Sequence, residues 1–172
     1  MKSYVQVYTG NGKGKTTASL GLAIRALGND WTVLLCQFMK GQNYGELKSL
    51  ASFQNMTIRR FGTGNFIRRL ENVQDIDRKL AREGYLFLKK VLRSGEYSLV
   101  IADEIFVARR FELISTEEIL ELMSLKSEKT ELILTGRHAP EEIMEKADLV
   151  TEMREIKHYL KQGVKAREGI ER

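Results

Sequence analysis

The chain has 172 residues, 42% of them apolar and 30% charged, and a formal net charge of +5. That length suits a single core, and the one cysteine, Cys36, excludes an internal disulfide and any Cys–Cys metal spacing. No apolar run approaches the roughly 18 residues of a membrane crossing, and Gln6, Thr9 and Gly10 interrupt the apolar core that a signal peptide would need. A cytoplasmic protein is expected, and its positive balance suits a polyanionic ligand without specifying nucleotide or nucleic acid.

Strand and helix signals alternate along the chain. Ser3 to Tyr8 reads as a strand, with Val5 and Val7 alternating against polar or aromatic neighbours. A glycine-rich stretch follows, and then Leu20, Ala23, Ile24 and Leu27 fall at helical spacing before a stop at Gly28 and Asn29. Thr32 to Phe38 is a nearly continuous apolar run of strand length, as expected of a parallel strand buried on both faces. Met56 to Phe61 gives a weaker strand. A helical segment then runs from about Leu70 to Leu92, its apolar stripe drawn through Val73, Ile76, Leu80, Phe87, Leu88 and Val91. Tyr97 to Ala102 is another buried strand, and Ser115 with Glu118 forms a capping box for the helix carrying Ile119, Leu122 and Met123. Glu131 to Thr135 and Leu149 to Met153 are the remaining strands, with a short helix opened by Pro140 between them. The residues from 155 to 172 form a polar, basic tail. No linker divides the chain, so a single domain over 1–172 is expected, a parallel sheet with helices on both faces.

The stretch Thr9-Gly10-Asn11-Gly12-Lys13-Gly14-Lys15-Thr16-Thr17 lies between the first strand and the first helix. It meets the phosphate-loop signature Gly-x-x-x-x-Gly-Lys-Ser/Thr except at its first position, where Thr9 stands. The glycines let successive N–H groups turn inward, and with the positive end of the following helix they form a site for phosphate oxygens. Lys15 is placed to reach the terminal phosphates and the Thr16 hydroxyl to sit on Mg²⁺. The dinucleotide pattern Gly-x-Gly-x-x-Gly fits less well, because its third glycine falls on Lys15. A nucleoside triphosphate is the expected ligand.

A second element agrees. Leu99 to Glu104 is an apolar strand ending in two acids, Asp103 and Glu104. In a parallel sheet the carboxyl ends of the strands share the edge where ligands bind, so these acids are expected on the metal side of the phosphates. Arg137, after the next strand, is expected at the same edge. The fold class is therefore α/β, a P-loop NTPase-like (RecA-like) three-layer sandwich with a mostly parallel sheet of five to six strands.

In this setting the chain resembles the ATP:corrinoid adenosyltransferases of the P-loop type. The resemblance is carried by the loop with threonine before it and by Gln37-Phe38-Met39-Lys40-Gly41. It continues in Gly62-Thr63-Gly64 with Phe66, Asp103-Glu104, Thr135-Gly136-Arg137 and Ala147 to Met153. It closes with Lys157-His158 and Gly163 to Glu171. It implies transfer of the 5′-deoxyadenosyl group from ATP to a reduced Co(I) corrinoid, with inorganic triphosphate as leaving group. It further implies that Gly10 to Thr16 hold the phosphates, Thr16 and Glu104 hold Mg²⁺, and Asn11 and Arg137 lie near the nucleotide. Phe66 matches an aromatic lining the corrinoid pocket, and Arg68 stands where the best-known members carry tryptophan. A reducing flavoprotein as electron donor and a homodimer are implied by the resemblance alone.

Two further readings belong to other classes: a RecA-like ATPase acting on nucleic acid, drawn from Arg59-Arg60, Arg68-Arg69 and Arg109-Arg110, and a regulator that senses ATP without consuming it. No stacking aromatics interleave with the arginine pairs, as a single-strand groove would want. His158 reads as a surface residue, His138 as one that could approach the site. Tyr44, in the loop Gly41 to Gly45, reads as a candidate cover for the corrinoid.

Overall fold

A computed structural model describes residues 2–41, 45–65, 67 and 69–171. Six strands form one parallel sheet: β1 (Val5–Thr9), β2 (Val33–Phe38), β3 (Met56–Phe61), β4 (Leu99–Asp103), β5 (Glu131–Thr135) and β6 (Leu149–Glu152), in the order β3-β2-β4-β5-β1-β6. Every pairing is parallel. The α/β expectation holds, and one strand, β5, separates the strand that enters the glycine loop from the strand that ends in the acids.

The apolar runs in the central strands have the double-sided burial that parallel sheets impose. Leu34, Cys36 and Phe38 of β2, Val100 and Ala102 of β4, and Leu132 and Leu134 of β5 face one core, with Leu88, Leu92, Ile119 and Leu122 from the helices α3 (Asp75–Ser94) and α5 (Thr116–Leu125). Val33, Leu35, Leu99, Ile101 and Ile133 face the other core, under α1 (Lys15–Leu27) and α2 (Gly45–Leu50). Successive side chains point to opposite faces, so a run of five or six apolar residues serves both cores.

Two helical stripes differ from those drawn on the sequence. In α1 the buried side is Ser19, Ala23, Ala26 and Leu27, while Ile24 is exposed. The sheet is approached closely there by small side chains, and the bulky Ile24 lies on the outer flank. The long helix begins at Asp75, preceded by a 3₁₀ turn at Leu70–Asn72, and buries Asp77, Ala81, Gly84, Tyr85, Leu88, Val91 and Leu92. Ile76 is exposed and Val73 lies before the helix. Asp77 explains the shift. As the third residue of the helix it accepts from the Gln74 N–H at 3.0 Å and from the Thr63 hydroxyl at 2.9 Å, so a carboxylate occupies the stripe in place of an apolar group.

The Ser115–Glu118 capping box forms, with its reciprocal bonds at 3.2 and 2.9 Å. Pro140 sits one position earlier than expected, as the residue before α6 (Glu141–Lys146), in extended conformation. A short helix α4 (Ile105–Arg110) follows Glu104 directly, unannounced by periodicity. Its six residues are too few to show a stripe. Of the described residues, no helix is long and apolar enough to cross a membrane.

Candidate functional site

Thr9 completes β1 in strand conformation, so its position makes no demand for glycine. Its hydroxyl accepts from the Ala139 N–H at 3.2 Å. The left-handed backbone falls one residue later, at Gly10, φ 97°, and again at Gly14, φ 122°. Close approach adds to the requirement at Gly10: a Cβ there would come 2.4 Å from the Met153 carbonyl oxygen. The end of β6 thus braces the loop from outside, and the Gly12 N–H donates to Met153 O at 2.7 Å.

Gly14 precedes α1, and no side chain caps that helix. Its first turn keeps N–H groups for an anion, and no acid stands in that turn to compete. The Lys15 ammonium folds over the loop, donating to Gly10 O and Gly12 O at 2.7 Å each. Burial lowers its pKa from the ordinary lysine value and the charge of Arg137 adds to this, while Glu104 and Asp103 oppose it.

The acids sit one strand beyond β5. Asp103 is fully buried. Its Oδ1 accepts from the Thr16 hydroxyl at 2.9 Å and the Thr135 hydroxyl at 2.7 Å, and its Oδ2 from Lys40 Nζ at 2.8 Å and Gln37 Nε2 at 3.4 Å. Glu104 follows in left-handed conformation, φ 60°, with its N–H donated to the Thr135 hydroxyl at 3.0 Å. Such a backbone is costly for a residue other than glycine and persists where surrounding structure enforces it. Met39, φ 61°, and His138, φ 60°, share it at the ends of β2 and β5. Burial raises the pKa of the Glu104 carboxyl and the neighbouring Asp103 raises it further, against the pull of Lys40, Lys15 and Arg137. Burial works against the Lys40 ammonium, yet Asp103, followed by Glu104 and Glu46, brings its pKa above the ordinary value.

Of the sequence-derived residues, Gly10, Gly12, Gly14, Lys15, Thr16, Asp103 and Glu104 therefore meet at one edge. Asn11 and Thr17 are exposed beside the loop, as is Arg137. His138 is exposed next to Arg137; partial burial lowers its pKa, and the charges of Arg110, Arg137 and Lys15 contribute. Lys13 turns outward. Its Nζ lies 2.6 Å from Glu171 and 3.0 Å from the Tyr159 hydroxyl, tying the tail to the loop. Phe66, Arg68 and Tyr44 lie outside the described residues, and Gly45 begins α2. His158 accepts the Leu160 N–H at 3.1 Å, a local turn contact.

One arginine of each pair in the nucleic-acid reading has a partner within the chain. Arg60 reaches Gly41 O at 3.3 Å, Arg69 pairs with Glu71 at 3.2 Å, and Arg109 bonds the Thr116 hydroxyl at 3.0 Å.

Three polar residues of this site carried no assigned role from sequence: Gln37, Lys40 and Thr135. For Gln37 a signal exists, a polar residue inside an otherwise apolar strand. It pairs in register with Asp103, is fully buried, and its Oε1 has no hydrogen-bond partner. Among the described residues no cluster of three or more His, Cys, Asp or Glu could hold a metal. The Thr16 hydroxyl and the Glu104 carboxylate are oxygen donors of the kind a hard cation takes alongside waters and phosphate, as Mg²⁺ does.

The chain matches the family model described as ATP:corrinoid adenosyltransferase BtuR/CobO/CobP over residues 1–172. It belongs to that family. A corrinoid adenosyltransferase of Sinorhizobium is 34% identical over 176 residues, covering 99% of this chain and 80% of the relative. The Escherichia coli K12 corrinoid adenosyltransferase is 32% identical over 170 residues, and the Salmonella typhimurium protein named corrinoid adenosyltransferase CobA is 31% identical over the same length. Each alignment covers 99% of this chain and 86% of the relative. The family is one of enzymes that transfer an adenosyl group to a corrinoid.

Proposed function

We propose that this chain takes the adenosyl group from ATP and releases inorganic triphosphate. The Co(I) centre of the corrinoid substrate supplies an electron pair to C5′ of ATP, a Co–C bond forms, and the C5′–O5′ bond breaks with its pair leaving on the triphosphate. The nucleophile carries no proton, so no general base is needed. What the protein must supply is a grip on the departing charge and an in-line approach.

Gly10, Gly12, Gly14 and the uncapped start of α1 offer N–H donors to the phosphates, and Lys15, freed from its two carbonyls, follows the terminal oxygens. Thr16 and Glu104 are the residues to hold Mg²⁺, which when bound would neutralise developing charge on the leaving oxygens. Asp103 keeps the Thr16 hydroxyl oriented by accepting its hydrogen bond. Asn11, Lys13, Thr17 and Arg137 flank the nucleotide, and the family likeness alone supports Phe66 and Arg68 as residues for the corrinoid. The family likeness alone supports a reducing flavoprotein as electron donor, a homodimer and a cytoplasmic setting.

The observation that carries this reading is the meeting of Lys15 and the uncapped α1 with the Thr16–Asp103 bond at one sheet edge. It is tested anaerobically with Mg-ATP and chemically reduced Co(I) cobalamin, following the cobalt spectrum and separating the phosphate products. A light-sensitive alkylcobalt spectrum with inorganic triphosphate is expected, whereas ADP and phosphate would refute the reading. Lys15→Ala is expected to lower kcat/KM by roughly 10²–10³-fold, the scale for removing a charge-stabilising donor.

A further inference from the structure

Among the described residues, Lys40 is the charged group in contact with Asp103 to which the chemistry above assigns no task. Its ammonium lies 2.8 Å from Asp103 Oδ2, its side chain only 16% exposed. The other carboxylate oxygen is taken by the Thr16 and Thr135 hydroxyls. The backbone presenting it is constrained on both sides. Met39 holds a left-handed φ of 61°, and Gly41 is wedged so tightly that a Cβ would come 2.3 Å from Gly64 N. The Met39 N–H donates to Phe61 O at 3.3 Å. A lysine set at a strained turn, against a fully buried carboxylate, is preorganised.

The arrangement answers an electrostatic difficulty. Asp103 and Glu104 stand together where a triphosphate must lie, and uncompensated carboxylates would repel it. We propose that Lys40 is a built-in counter-cation of this acid edge, a positioning residue that neutralises Asp103 and so lets a polyphosphate enter before, or without, a divalent cation. This rests on the triphosphate reading above and deepens it: the protein's own ammonium shares the charge-neutralising task otherwise left to the metal.

The test is calorimetric binding of ATP and of inorganic tripolyphosphate, in EDTA and in saturating Mg²⁺. The chains compared are wild type, Lys40→Met, Lys40→Arg and the double variant Lys40→Met/Asp103→Asn. Lys40→Met should weaken binding in EDTA by roughly ten-fold or more and in Mg²⁺ by much less, because the added cation takes over the neutralisation. Lys40→Arg should keep metal-free binding within about three-fold of wild type, since the positive charge remains. The double variant should recover most of the metal-free loss, because the charge needing compensation is gone. It also keeps the test decisive if Lys40→Met fails to fold. Equal losses with and without Mg²⁺, tighter binding in EDTA, or no recovery in the double variant would each overturn the proposal. A wild-type chain that binds neither ligand, with or without Mg²⁺, would instead overturn the triphosphate reading and the proposal with it.

Discussion

The glycine loop is gripped from two sides, and the grips differ in kind. On the sheet side, Thr16 reaches Asp103, a carboxylate with no solvent exposure that also holds Thr135 and Lys40. On the outer side, Lys13 reaches Glu171, with Tyr159 and Arg167 gathered round the same carboxylate and Lys13 still 40% exposed. Both look like networks of short polar contacts, yet only the first lies out of water. A buried network is costly to break because each orphaned member loses both its partner and its hydration. An exposed one exchanges its partners for water and ions. One region should therefore behave as part of the fold, the other as a detachable strap.

The largest effect is expected from Asp103→Ala. It strands the Lys40 ammonium and leaves Gln37, Thr16 and Thr135 without their common acceptor. A loss of about 3–5 kcal/mol is anticipated, read as a lower urea midpoint with an unchanged slope. A loss within 1 kcal/mol, the range of exposed pairs, would erase the distinction between the two grips.

Thr9→Gly comes next and tests the loop's unusual first residue. Restoring the common glycine should not tighten triphosphate binding, because residue 9 is strand and the left-handed turn is already met by Gly10. It should instead destabilise the chain by about 1–2 kcal/mol, through lost strand preference and the lost Thr9–Ala139 bond. Denaturant titration and calorimetry on the same protein check both halves.

Glu171→Gln should have the smallest effect on stability, with no resolvable change in Tm, while limited proteolysis cuts the tail faster. Hydrogen bonds from Arg167 and Lys13 hold the Glu171 carboxyl below its usual range. Its contribution is present above the ordinary glutamate pKa and is lost only as pH falls through the depressed folded value. Tail protection should thus persist at pH values where an ordinary glutamate is already protonated. Loss of protection in the usual glutamate range would show that these contacts do not form in solution.

Much of the glycine-loop half was legible in the sequence. The loop, the acid-ended strand and the alternation are local signals, each set by steric or periodic rules within a few residues. Double-sided burial was readable in the runs of β2 and β4, since a strand that is apolar at nearly every position must be covered on both faces. The stripes of α1 and α3 were less legible. Ile24 and Ile76 look apolar in one dimension, yet helix rotation is decided by what the sheet can accept, and here it accepts Ala23 and Ala26, and Asp77 as the cap.

What the sequence determined by itself was the chemistry of single positions: a lysine and threonine after a glycine turn, two acids after an apolar strand. Only the tertiary structure decided that β5 stands between them, so that Thr135 can bridge Asp103 and Glu104. It also decided that Lys40 and Gln37 close on Asp103 and that the tail reaches Lys13. Those partners lie 32, 63, 66 and 158 residues apart along the chain. No local propensity carries such pairings, which arise when strand order brings distant ends to one edge and burial makes unpaired groups there too costly to keep.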